Sequence, residues 1–300
     1  MKRLAFTLLT LVLLVSCGDE MTLRSPDGRI KLDFNLTSEG VPTYSLQFDD
    51  EAIVEPSRLG VATLEREFAQ GLVVKGVEHS SSDEVWQPVW GQFTEIRDYY
   101  NAMCVTLASA DGAELKVEMR LYNDGLGLRY VLCGEGEANI TAEHTECRMA
   151  GDYSAHWMAG SDDDAEFDYM HTPLSGITPE NMHISAGHNN DIIRCGVATP
   201  VAMSTERGTH LSIHEAALWH YPGMALAYDT QSNAFAVELS GNEEVKSAVE
   251  LPFATPWRTV IIGDRAGALV ESTLILNLNE PCKIEDTSWI KPMKYVGVWW

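Results

Sequence analysis

Positive charge is scarce in this 300-residue sequence: 21 Lys and Arg stand against 44 Asp and Glu, a formal net charge of -23. Affinity for nucleic acid rests on many Lys and Arg contacts to phosphate, so the balance argues against a nucleic-acid partner. The acidity fits a soluble surface, or more specifically neutral and cationic ligands or a divalent cation held by carboxylates, and composition does not choose between them. Cysteine is scarce and poorly spaced. Without Cys17 there remain Cys104, Cys133, Cys147, Cys195 and Cys282, an odd number with no CxxC pair, which leaves neither a zinc knuckle nor a dithiol redox motif. One or two disulfides fit this set as well as buried free thiols do. A membrane-spanning run is lacking too, because the apolar stretch Leu4 to Val15 falls short of the ~20 residues that cross a bilayer. No fixed-period repeat disposes the chain toward a propeller, and no Pro- or Ser-rich linker divides residues 20–285.

That apolar stretch follows Lys2 and Arg3 and ends in small Ser16 and Cys17, the pattern of an export signal. "LVSC", Leu14 to Cys17, resembles a bacterial lipobox. The resemblance implies a signal peptide over residues 1–17, cleavage before Cys17, lipidation of its thiol and a membrane-anchored lipoprotein; an ordinary signal peptide with an incidental Cys is the alternative. Acyl chains contribute about 0.8 kcal/mol per buried CH₂, and stable anchoring takes more than one chain.

Beyond the leader the dominant period is two. "GRIKLDFNL", Gly28 to Leu36, places Ile30, Leu32, Phe34 and Leu36 on one face and Lys31, Asp33 and Asn35 on the other, as a half-buried antiparallel strand requires. Similar stretches recur as "TYSLQF", "GLVVKGV", "HLSIHEAAL", "MALAYD", "AFAVELSG" and "STLILNL", separated by "DG", "GEG" and "SGN" turn signals. "VTLASADGAELKVEMRLY", Val105 to Tyr122, reads as a hairpin. The best helical candidate is "EPSRLGVATLE", Glu55 to Glu65. Many short strands with turns at intervals of about 8 to 15 residues predict an all-β fold, a large antiparallel β-sandwich over residues 18–285. Residues 286–300 then read as a linker and the apolar strand "YVGVWW", the kind that opens a barrel whose parallel strands are buried on both faces.

Signals for chemistry are sparse. "SIHEAALWHYPG", Ser212 to Gly223, misses the HExxH zinc pattern because position 218 is Leu. What remains is Glu215 at the end of an apolar strand, where a carboxylate reaches a ligand from a rigid support, or else makes an ordinary surface salt bridge. "GSDDDAEFDY", Gly160 to Tyr169, invites a calcium reading but lacks EF-hand spacing and reads equally as a solvated acidic loop. Six of the nine His lie between His171 and His220, either one rim of a polar site or scattered positions. Aromatic residues concentrate in Val85 to Asn101 and Ala155 to Gly160. A sugar's apolar faces and hydroxyls favour such mixtures of aromatic and polar side chains, though Trp at strand ends is usually core.

The segments "WQPVWGQ" with "IRDYYN", "RLYNDGLGLRY", "MAGDYSAHWMAG", "IHEAAL", "TPWRTVIIGD" and "LNLNEPCKIEDTSWIKPMKYVGVWW", in this order, resemble glycoside hydrolase family 97, α-glucosidases and α-galactosidases of glycan-degrading Gram-negative bacteria. The resemblance implies a galactose-mutarotase-like super-sandwich ahead of a (β/α)₈ catalytic barrel, whose first strand "KYVGVWW" resembles. It implies calcium as cofactor with Glu215 as the ligand contributed by this domain, His214 near the substrate, and an oligosaccharide substrate. It also implies an exported lipoprotein, periplasmic or at the outer membrane. The two catalytic carboxylates that such hydrolysis needs belong to the barrel, in the same or a separate chain, so this chain by itself is expected to be inactive. The alternative is a stand-alone, non-catalytic glycan-binding lipoprotein that uses its aromatic segments.

Overall fold

The computed structural model describes residues 20–161, 167–182, 193–241, 243–291 and 293–298. The leader with Cys17 lies outside the described residues, as do Asp162 to Glu166 of the acidic run and the segment holding His183 and His188.

Among the described residues two antiparallel sheets, of nine and twelve strands, face each other. The nine-stranded sheet opens with the strands Thr22–Arg24, Ile30–Leu36, Pro42–Phe48 and Glu51–Arg58 as a meander. The twelve-stranded sheet is organised around the 19-residue strand Gly125–Glu143, flanked by Glu114–Tyr122 on one side and Trp257–Gly263 on the other. Next to Trp257–Gly263 lies His210–Ala216.

Period two decides which side chains meet. In Ile30–Leu36 the residues Ile30, Leu32 and Phe34 are buried while Lys31 and Asp33 face solvent and pair with each other. The opposing sheet supplies Val105, Leu107, Val117, Met119, Leu121, Leu126, Leu128 and Tyr130, and the two inward faces form one continuous core, as a sandwich about 10 Å thick requires. The expected hairpin is present: Val105 pairs Val117 and Leu107 pairs Leu115. Cys104, Cys133, Cys147 and Cys282 are free thiols, and burial pushes the Cys147 thiol up to about 12.

Two local expectations are corrected. Glu55 to Glu65 is not a helix: Glu51–Arg58 and Val61–Thr63 are strands, and Leu59 and Val61 are fully buried between the sheets. Tertiary burial overrides local helical propensity here. Conversely, "STLILNL" is not a strand. Leu274–Leu278 forms helix α2, just after helix α1 (Ala266–Glu271). Leu274 and Leu278, one turn apart on one face, are buried against the outer surface of the twelve-stranded sheet beside Trp257 and Ile261. Each such Leu contributes about 1.5–3 kcal/mol when fully buried. The start of the helix is tied down by Ser272 Oγ, which donates to Asp124 Oδ2 at 2.7 Å. Glycine makes the close approach possible. A Cβ on Gly125 would collide with the Val260 carbonyl oxygen, and one on Gly127 would meet Leu278 Cδ1 at 2.6 Å, so the backbone requires the first glycine of "NDGLG" and the second lets Leu278 seat this closely. Residues 293–298 carry no strand pairing among the described residues, and Tyr295, Val296 and Val298 are exposed.

Candidate functional site

The strand His210–Ala216 pairs in unbroken register with Trp257–Gly263, so that Glu215 lies opposite Arg258 and His214 opposite Thr259. Alternation sends these two pairs to opposite faces of the sheet. Leu211, Ile213, Val260 and Ile262 fix the inward face, since all belong to the inter-sheet core. Glu215 and Arg258 continue that row to the end of the sandwich.

There the core turns polar. Arg258 Nε donates to Glu143 Oε1 at 2.8 Å and Nη2 to Glu143 Oε2 at 2.7 Å, a bidentate fork. Arg258 Nη1 donates to Glu215 Oε2 at 2.5 Å. The side chains of Arg258, Glu143 and Glu215 are 6%, 0% and 10% exposed, which matters because a buried charge is tolerated only when paired. Glu143 is saturated further: Thr145 Oγ1 donates to Oε1 at 2.8 Å and Tyr221 Oη to Oε2 at 3.2 Å. Because the Thr145 hydroxyl proton is committed to Glu143, Tyr130 Oη donates to Thr145 Oγ1, 2.7 Å away, while accepting from the Gly60 amide at 3.0 Å. Burial opposes the Arg258 charge, but the Glu143 carboxylate outweighs it and holds the guanidinium protonated. Burial pushes the Glu215 carboxyl upward, and the Arg258 charge pulls it back.

Glu215 is the least saturated member. Among the described residues its Oε1 accepts from the Met224 amide alone, at 3.4 Å. The chain beyond it turns through Ala217 and His220, both at positive φ (55 and 52), and carries exposed Leu218 and Trp219. Ser247 Oγ donates to the His220 carbonyl at 2.9 Å and holds this turn.

On the outer face, His214 Nδ1 and Thr259 Oγ1 are buried without a hydrogen-bond partner among the described residues. Burial pushes the His214 pKa down, which favours the neutral ring. Beside them Trp257 lies under two guanidiniums, Arg129 at 4.3 Å and Arg120 at 4.8 Å, and Arg120 also covers Tyr100 at 4.7 Å. The two expected site residues are therefore neighbours in sequence but separated by the thickness of a sheet.

Of the aromatic segments, Trp157 is core, fully buried with Nε1 donating to Thr172 Oγ1 at 2.9 Å. Trp86 is partly exposed, with Nε1 donating to Asn277 Oδ1, and Trp90 is open to solvent. Among the described residues no group of three or more His, Cys, Asp and Glu is arranged to hold a metal. Glu215 fits a cation as a single anchored carboxylate with one lightly engaged oxygen, and calcium takes six to eight oxygens. Sequence reasoning missed Glu143 and missed the role of Arg258; the only available signal was an acid inside a strand-like stretch, "NITAEHTE".

Residues 23–281 match the family described as Glycosyl-hydrolase 97 N-terminal. The chain belongs to that family. A curated relative, the retaining α-galactosidase of Bacteroides thetaiotaomicron, is 24% identical over 326 residues, covering 100% of this chain and 47% of its own. The probable retaining α-galactosidase of Streptomyces bingchenggensis is 25% identical and is covered to 39%. Among solved structures, a glycoside hydrolase family 97 enzyme from a Pseudoalteromonas species in complex with acarbose superposes with a TM-score of 0.78 at 31% identity, covering 90% of this chain and 40% of that one. A single-substitution variant of a family 97 enzyme from the same Pseudoalteromonas strain is known in complex with panose. This chain thus spans less than half the length of the relatives it matches, and its described residues form the N-terminal β-sandwich of the family.

Proposed function

We propose that this sandwich is one wall of the active site of a calcium-dependent α-glycosidase acting on oligosaccharides, α-glucosides or α-galactosides, and that Glu215 is its contribution to the calcium ion. The remaining ligands and the catalytic carboxylates would come from a (β/α)₈ barrel in the same or a separate chain. Bound calcium supplies charge that polarises the site and fixes carboxylate positions. The chain's own part is to hold Glu215 rigidly at a strand end with one oxygen engaged by Arg258 and the other lightly held, and that geometry is the observation that carries the reading. The names of the relatives support the reaction class, and the acarbose and panose complexes support oligosaccharides as ligands. Export and lipidation at Cys17, on the periplasmic or outer-membrane side of a Gram-negative cell, complete the proposal and rest on the "LVSC" leader.

The test uses the protein expressed from its native locus, assayed on aryl α-galactoside and α-glucoside with calcium controlled by chelation. Glu215→Ala is expected to lower calcium-dependent hydrolysis about 100-fold, the upper end of what disturbing a metal's surroundings costs, while leaving the melting temperature close to wild type. Unchanged hydrolysis at limiting calcium removes Glu215 from the site.

A further inference from the structure

We infer that Glu143, acting through Arg258, is the positioning residue that keeps an oxygen of Glu215 open to a cation. This rests on the reading of Glu215 given above. One guanidinium serves two carboxylates, and it does not serve them equally. The flat edge of the fork, Nε and Nη2, is spent on Glu143 in two bonds of 2.8 and 2.7 Å, and only Nη1 is left for Glu215. The Arg258 charge is thereby neutralised on the buried side of the cluster. The surplus negative charge of the triad falls on Glu215, at the solvent end.

Glu143 is built to hold that arrangement. It closes the long central strand, its side chain is fully buried, and the Thr145 and Tyr221 hydroxyls occupy its remaining acceptor sites. Tyr221 comes from the turn that follows Glu215, so the same bond that saturates Glu143 also fixes the backbone beyond Glu215. Without the Glu143 charge, Arg258 would be free to turn its fork on Glu215 and take both its oxygens. A cation would then meet a neutral, closed ion pair.

Calorimetric titration of calcium into the native protein, first stripped with chelator, tests this. Glu143→Gln keeps the shape and removes the charge, and is expected to weaken calcium binding about ten-fold, the scale of changes in the groups that orient metal ligands. Glu143→Asp keeps the charge and is expected to bind closer to wild type than the Gln variant does. Tyr221→Phe loosens Glu143 by one hydrogen bond without touching a charge, and is expected to weaken binding about two-fold; it decides the matter if Glu143→Gln does not fold. Wild-type affinity in Glu143→Gln or, failing that, in Tyr221→Phe, with Glu215→Ala still weakened, overturns the role of Glu143 and leaves the reading of Glu215 intact. Wild-type affinity in Glu215→Ala, or no calcium binding by the wild-type protein, removes the underlying reading itself.

Discussion

Glu215 and His214 are consecutive residues of one strand, yet they inhabit opposite kinds of surroundings. On the inner face, three buried charges are joined by two hydroxyl donors and every strong acceptor of Glu143 is used. On the outer face, His214 and Thr259 bury a nitrogen and a hydroxyl with no partner among the described residues, on the side of the sheet where α2 packs and guanidiniums stack on Trp257. A buried polar atom left unpaired costs about 1–3 kcal/mol. The inner cluster is self-sufficient and the outer one is not. A dipeptide such as His-Glu is thus no guide to a shared site when a sheet passes between its two side chains.

The neighbouring residues Arg258 and Thr259 turn this contrast into a test with opposite signs. Arg258→Met strands Glu143 and Glu215 as uncompensated buried carboxylates and is expected to destabilise the domain by about 3–5 kcal/mol in urea unfolding, the cost of breaking a buried ion pair. A loss under about 1 kcal/mol would mean that water reaches the cluster and that the inner face is not closed. Thr259→Val replaces the unpartnered hydroxyl by a methyl group of the same shape and is expected to stabilise the domain by about 1 kcal/mol. A destabilising result would show that the hydroxyl has a partner in solution and would erase the contrast between the faces.

The parts of this architecture that repeat were readable from the chain. Alternation from Ile30 to Phe34 and the hairpin around "ADGAE" depend only on residues close in sequence and on the period of two. Glu215 was reachable through the resemblance of "IHEAAL", because its place at a strand end is local. The helix α2 was not, since "LILNL" is a continuous apolar run whose periodicity fits strand or helix equally, and its shape is decided by the outer-face groove over Gly127. Glu143 was hidden for a different reason. Its partner Arg258 is 115 residues away, and the pairing of the central strand shifts between Leu132 and Gly136 and again between Ile140 and Ala142. The first shift leaves even-numbered residues inward, as Ala138 and Ile140 show, but the second reverses the alternation, so a simple count from Leu126 loses the face of the strand just before it reaches Glu143.

The smallest expected effect lies farther along the outer face, where polar groups do meet water. His156 and His171 stack with ring centroids 4.1 Å apart, and Ser154 Oγ lies 2.7 Å from His171 Nε2. Burial, then the charge of His171, lowers the His156 pKa below the ordinary 6.5. The unfolded chain consequently binds more protons than the native one between the lowered value and 6.5, and stability must rise with pH across that window and be lost as pH falls through it. The ring is largely exposed, so the slope is expected to be shallow. Urea unfolding followed from pH 5 to 8 in low salt should show it in wild type, and His156→Asn should flatten it. A slope that survives the substitution places the titration elsewhere. The outer face would then differ from the inner one only where it is covered, at His214 and Thr259.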